Sequence, residues 1–271
     1  MLQDAKTENS IILALECSGN AASAALMVDR KITGFQEHKA RHGHAETLIG
    51  LVDKTVHIAS IPLANITHIA AGCGPGSFTG LRVCLSTAKG YQLATGAKPL
   101  GISGLSALAY QAGMQNKEAG QNKEAGQNKE AGRQITLCLA DSRRGTYFAQ
   151  LFDADLGVLS KIEDYDRASL SAMIIKALTE NKTKKLVVCG LEEEEFKQDD
   201  GLAALSEEIN ADIKNADINV GFQPHHLDAR DIAYFALATL REPARFTQAG
   251  LEPLYIAAPK LGGVRASKSA N

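Results

Sequence analysis

Gly72-Cys73-Gly74-Pro75-Gly76-Ser77-Phe78-Thr79-Gly80-Leu81-Arg82 is the stretch on which the reading of this chain turns. The residues just before it, 66–72, are mostly apolar and read as a strand. The residues just after it run to about 94 with the character of a helix, and Ser77 is placed to cap its start. That helix is apolar on most sides and carries Gly80, Ser86, Ala88, Gly90 and Ala94, so it must be buried in the fold or in an interface. The glycine loop itself reads in two ways. Successive backbone N–H groups at a helix start can cradle an anion. Glycines also let a strand and a helix approach closely, and this second reading carries more weight. No Lys-Ser or Lys-Thr closes the loop, so it is not a Walker loop.

Working outward, 11–16, 22–28 and 32–37 read as three consecutive antiparallel strands separated by small polar turns. Residues 44–59 keep one apolar face at three-and-four spacing, a helix that Pro62 follows. Beyond the glycine-loop helix come a short strand at 100–103 and a helix at 105–112. The pattern then restarts. Residues 135–140 and 146–152 pair across the turn 141–145, and a third strand follows the turn 153–157. A helix at 168–178, a strand at 185–189, a helix at 202–209, a strand at 218–220 and a helix at 226–240 complete it. Two β-β-β-α-β-α lobes side by side describe an α/β, actin-like ATPase (ASKHA, Hsp70-like) fold. The expected organisation is an N-terminal lobe over 1–105, a C-terminal lobe over 106–248 and a tail over 249–271.

Between the two patterns, 115–132 is a triple repeat of Gln-Asn-Lys-Glu-Ala-Gly. Alanine is its only apolar side chain, and each glycine costs a helix about 1 kcal/mol, so it reads as a solvated insertion. At 271 residues and 45% hydrophobic the chain can bury a substantial core. A net charge of −2 with 5% aromatics and no Trp excludes a protein that grips nucleic acid alone by phosphate contacts or base stacking. The five cysteines form no C-x-x-C pair and read as buried small hydrophobes of a reducing, cytoplasmic compartment. The apolar run at 11–15 is too short for a membrane span.

The glycine stretch closely resembles the G-x-G-P-G-S-F-T-G-[LVI]-R signature of the TsaB (YeaZ) family. Similar segments follow in order: 12–18 with 22–26, His44-Ala45-Glu46-Thr47-Leu48, 101–109, 140–147 and Glu252-Pro253-Leu254-Tyr255-Ile256. The likeness is dense over 11–112 and thinner beyond, and the hexapeptide repeat lies outside the family pattern. It implies a non-catalytic scaffold subunit for tRNA N6-threonylcarbamoyladenosine (t6A37) synthesis. Such a subunit binds and activates a TsaD-like catalytic subunit, works with a TsaE-like ATPase and meets tRNA only through the complex. A homodimer through the same face is expected when the partner is missing.

The same resemblance implies that the two N-lobe helices make the partner face, near Leu48, Ile49, Val52, Ser86, Lys89 and Gly90. It places the metal-binding histidines of TsaD onto Gly104 and Leu108, neither of which can coordinate a metal. No intrinsic cofactor is expected; ATP or ADP shared with partners is the one for which room remains. Glu16, Ser18, Gly74, Gly76, Arg82 and Asp141 are the candidates for an anion or nucleotide contact. Glu16 stands where actin-like ATPases carry an Mg²⁺-organising acid, and the family commonly has Asp there. Arg143 and Arg144 mark the equivalent turn of the second lobe. His42, His44 and Glu46 are a weak metal candidate, and His225-His226 reads as a polar helix start. The rival readings are an actin-fold phosphotransferase relying on Glu16 and Asp141, and a metallopeptidase of the glycoprotease type, which lacks its ligands here.

Overall fold

A computed structural model describes residues 10–39, 44–118, 134–192, 205–212, 218–246 and 249–256. The first half contains β1 (Ile11–Glu16), β2 (Ala21–Val28), β3 (Lys31–Lys39), α1 (His44–Ala59), β4 (His68–Gly72), α2 (Phe78–Thr95), β5 (Lys98–Ile102) and α3 (Gly104–Glu118). The second contains β6 (Gln134–Asp141), β7 (Tyr147–Phe152), β8 (Glu163–Tyr165), α4 (Arg167–Glu180), β9 (Lys185–Cys189), α5 (Leu205–Asp212), β10 (Asn219–Gln223) and α6 (Ala229–Arg241). Most of the repeat lies outside the described residues; its first four, 115–118, extend α3.

The sheets have the orders β3-β2-β1-β4-β5 and β8-β7-β6-β9-β10. In each, the first strand pairs antiparallel with the second and parallel with the fourth. The two halves are therefore copies of one plan. β1 is central and buried on both faces, which is why Ile12, Leu13, Ala14 and Leu15 form an unbroken apolar run instead of an alternation. β5 is an edge strand, so it accommodates Pro99 without losing a ladder hydrogen bond. The strand accordingly starts at Lys98, before the proline, where the sequence suggested 100.

Two helices cross the chain order. α3 follows the first sheet in sequence yet packs on β6, β7 and β9 of the second. α6, from the far end of the chain, packs on β1, β2, β4 and β5. Its Ile232, Ala233, Phe235 and Ala236 meet Ile12, Ala14, Met27 and Ala70. α3 and α6 also touch each other, so each half is covered partly by the other half's chain. Helices α1 and α2 cover the outer face of the first sheet, where Leu48, Val52, Cys84 and Leu85 pack on Leu13, Leu15 and Leu26.

Gly80 shows why α2 needs glycine. A Cβ there would collide with the backbone carbonyl of Cys17, and backbone cannot yield as a flexible side chain can. Gly80→Ala should cost about 2–3 kcal/mol despite the better helix propensity of alanine. Gly90, with nothing within 4 Å, should gain up to about 1 kcal/mol from the same change. Urea unfolding of the isolated chain reads both, and equal responses at the two sites would refute the packing account.

Candidate functional site

Two surfaces hold the predicted residues: the cleft between the sheets, and the outer side of α1 and α2.

The glycine loop ends β4 and launches α2. Gly74 has φ of 103°, a region that favours glycine. Ser77 caps α2, its hydroxyl accepting the Gly80 N–H at 3.3 Å. Part of the loop's polar backbone is engaged within the chain. Ser77 N–H donates to Ser18 O at 2.8 Å, Cys73 N–H to Ile102 O at 2.7 Å, and Gly74 O accepts from Gly104 N–H at 2.8 Å. Gly76 sits against Ser18, where a Cβ would meet its carbonyl oxygen at 2.5 Å. These contacts favour the packing role of the glycines over the anion cradle.

The six anion-contact candidates do not converge. Ser18, Gly76 and Asp141 line the cleft between the sheets, whose volume is about 90 Å³. Ligand pockets of enzymes run roughly 300–1,000 Å³. Glu16 lies beneath the cleft wall, only 1% exposed, with one oxygen accepting the Ser18 N–H and the other without a hydrogen-bond partner. It presses on Gly72, where any side chain would displace it. Burial pushes its pKa up to about 7, against the pull of hydrogen bonds from Ser18 and Cys17; the charge of Asp231 adds to the rise. Gly74 is buried under Leu81 and the C-terminal segment. Arg82 points elsewhere: its guanidinium lies 3.8 Å from the centre of the Phe78 ring, and its Nε–H donates to Tyr255 Oη at 3.2 Å. Leu254 N–H donates to Cys73 O at 2.8 Å, so the 249–256 segment is stitched onto the glycine loop.

Arg143 performs a task that local sequence does not reveal. At the tip of the β6–β7 turn, its Nη2 donates to Gly19 O at 2.9 Å and Asn20 Oδ1 at 3.0 Å, on the β1–β2 turn. The backbone N–H of Arg143 donates to Asp141 Oδ1 at 2.7 Å, which shapes the tip. The two turns that face each other across the cleft are thus clamped by a guanidinium. Arg143→Ala should speed hydrogen exchange at 18–20 and 141–146 while costing only about 1 kcal/mol of global stability. Unchanged exchange at both turns would rule out the clamp.

His226 forms a second bridge. Its Nε2 lies 2.8 Å from Glu37 Oε1 and its Nδ1 3.3 Å from Glu192 Oε1, while Lys39 Nζ reaches Glu192 at 2.8 Å. His225 pairs with the buried Asp231 at 2.9 Å. The pair does stand at the start of α6, and His225 bonds an acid of that helix's first turn; the His226 network could not be read locally, because Glu37 and Glu192 lie far from it in sequence. Glu37, His226 and Asp228 are the one group of potential metal ligands among the described residues. Asp228, however, already accepts from Arg230 N–H, Nε and Nη2 with both oxygens, so its lone pairs are committed. An ion-pair network accounts for this trio better than a metal centre does. Gly104 and Leu108 both line the cleft and bring no ligand atom to it. His42 and the side chains of His44 and Glu46 lie outside the described residues.

On the outer surface, Leu48 and Val52 are fully buried beneath α1. They therefore take the inward side of the helix, against the chain's own sheet, and offer nothing to a partner directly. Ile49, Ser86, Lys89 and Gly90 are exposed. Leu93 is 84% exposed, Ile58 55% and Ile49 53%, which makes them the most exposed large hydrophobics of α1 and α2. Sequence periodicity could not choose this face, because α2 is apolar on most sides.

Comparison with known proteins agrees with this architecture. The family model described as "TsaD: tRNA N6-adenosine threonylcarbamoyltransferase" matches residues 20–127. The chain is 32% identical over 105 residues to the tRNA threonylcarbamoyladenosine biosynthesis protein TsaB of Haemophilus influenzae, covering 39% of this chain and 44% of that one. It is 31% identical over 105 residues to TsaB of Escherichia coli K12, covering 39% and 45%. The matched region thus spans less than half the length of these two relatives. Among solved structures, a Pseudomonas aeruginosa protein with similarity to the peptidase YEAZ superposes with TM-score 0.59 at 18% identity, over 92% of this chain and 100% of that one. A ROK-family transcriptional regulator superposes with TM-score 0.50 at 10% identity, over 86% and 79%.

Two duplicated five-stranded mixed sheets flanking a cleft, each with its helices, define a protein of the actin-like ATPase fold. Within that class, the first half of the chain is similar to the two curated TsaB proteins, which it matches over less than half of their length.

Proposed function

We propose that this chain is the non-catalytic scaffold subunit of a t6A37-forming complex, which binds and activates a TsaD-like catalytic subunit. The observation that carries this reading is the outer side of α1 and α2. Ile49 and Leu93 stand exposed there, beside Gly50 and Gly90, where a side chain would meet nothing within 4 Å. Apolar side chains beside bare helix backbone suit another pair of helices at close approach. The contribution to the reaction is area and orientation. Gly104 and Leu108, where TsaD would hold its metal, supply no acid, base or ligand. A TsaE-like ATPase joins the complex, any ATP or ADP is shared with these partners, and tRNA is met through the assembly in the cytoplasm. Among the described residues no helix is long and apolar enough to cross a membrane.

The test is size exclusion with light scattering of the purified chain, with and without the TsaD-like protein of the same cell. A one-to-one complex that Ser86→Arg disrupts is the expected result. No complex, with or without ATP and the TsaE-like ATPase, refutes the scaffold reading and directs attention to ATP hydrolysis and the phosphotransferase alternative.

A further inference from the structure

All five cysteines are free and buried; Cys84 lies within hydrogen-bond reach of Cys17, and Cys138 and Cys189 form a second close pair, on neighbouring strands of one sheet. Cys138 on β6 and Cys189 at the end of β9 are register partners in a parallel ladder, with Sγ atoms 3.4 Å apart. In-register neighbours project to the same side of a sheet, and strand spacing of about 4.8 Å falls within the Cα separations that disulfides span, roughly 4.4–6.8 Å. Bond closure therefore asks for side-chain rotation with little movement of the backbone. Leu105, Leu108 and Ala112 of α3, together with Phe152, pack over both sulfurs. Cys189 alone of the two borders a closed crevice at the end of α3, beside Gln111, Gln115, Gln223 and His225, which has no room for a water molecule until that end of the helix opens.

We propose that Cys138 and Cys189 are a modification site: a hydroperoxide oxidises them to a reversible disulfide that staples β6 to β9. Cys189, next to the crevice, attacks the peroxide oxygen as thiolate; the O–O bond breaks, an alcohol or water leaves, and a sulfenic acid forms. The Cys138 sulfur then attacks the sulfenic sulfur, an S–S bond forms, and water leaves with the remaining thiol proton. Two thiols lose two electrons in all, and one hydroperoxide gains them. A dithiol reductant reverses the step by exchange, regaining both thiols and becoming a disulfide itself. Burial, together with the adjacent Cys189 sulfur, pushes the Cys138 thiol pKa up, which disfavours it as the first nucleophile. Because α3 roofs the pair, oxidation should be slow and should follow the opening of its last turns. The pair does not depend on the partner assigned to α1 and α2.

The full chain is treated with hydrogen peroxide under native conditions, alkylated, unfolded and digested with trypsin without reductant. The expected product joins peptides 134–143 and 186–197, two hydrogens lighter than their sum, and is lost on adding a dithiol. Its formation should raise the melting temperature by several degrees, since a loop of about 50 residues is closed in the unfolded chain. Cys73→Ser should still form the cross-link, whereas Cys138→Ser should not. Recovery of both cysteines unlinked, or cross-links scattered over Cys17, Cys73 and Cys84, overturns the proposal; so does a cross-link that lowers the melting temperature. The wild-type peptide map decides the matter even if a variant fails to fold.

Discussion

Ile49→Asp combined with Leu93→Asp should weaken the proposed complex with a TsaD-like subunit by roughly 100-fold or more, on the order of 3 kcal/mol. Both side chains stand largely in water in the isolated chain, so the double variant should fold with a stability within about 0.5 kcal/mol of wild type. In a complex they would be desolvated against apolar helix surface, and a carboxylate at either position must be buried without a partner. Leu48→Ala supplies the contrast one residue away. Leu48 is fully buried in the core under α1, so its truncation should cost about 2–5 kcal/mol of folding stability. It should alter partner binding only through loss of folded protein. Calorimetric titration with matched circular-dichroism melts separates the two. Unchanged affinity in the double variant would mean that α1 and α2 are not the docking face.

Glu16 sets the second large effect. Its carboxyl is buried with one oxygen unpartnered, and desolvation raises its pKa from 4.5 to about 7. Below pH 4.5 the group is neutral in folded and unfolded chain alike. Between 4.5 and 7 the unfolded chain releases the proton and the folded one retains it, so stability falls as pH rises and levels off above about 7. The loss amounts to about 3 kcal/mol. Glu16→Gln stays neutral at every pH and can still accept the Ser18 N–H. Wild type minus variant, measured by urea unfolding from pH 4 to 8, should therefore change by about 3 kcal/mol in that direction. Asp231, close enough to raise the Glu16 pKa by its charge, is itself raised, chiefly by burial, and is common to both proteins. A flat difference would show that water reaches the carboxyl. An ion or partner group that lowers the Glu16 pKa would reverse the sign, so repeating the series in the complex tests whether the partner's arrival changes this carboxyl's surroundings.

Local signals in the chain were enough for the element order, the repeated plan of the two halves and the start of α2. Ser77 is a cap whatever surrounds it, because its hydroxyl needs only the N–H three residues on. Short apolar runs and turn chemistry marked β1, β2 and the β6–β7 hairpin for the same reason: strands and tight turns are written in neighbouring residues. The boundaries that shifted did so through tertiary context, as with Pro99 tolerated on an edge strand.

What the fold alone decided are contacts between residues far apart in sequence. Nothing local marks α6 as the cover of the first sheet, nor divides the faces of α1 so that Leu48 is buried and Ile49 exposed. Glu16 looks from sequence like the acid of a phosphate site; packing against Gly72 and burial beneath the cleft wall make it a protonatable core group instead. Arg82 looks like an anion ligand until Phe78 and Tyr255 occupy it, the latter 173 residues away. Arg143 reaches 124 residues back to clamp the turn at Gly19, and the sulfurs of Cys138 and Cys189 meet only because β6 and β9 pair in register. Secondary structure follows from short-range sterics and hydrogen bonding; a side chain's solvent, charge partners and chemistry are set by whatever the folded chain brings beside it.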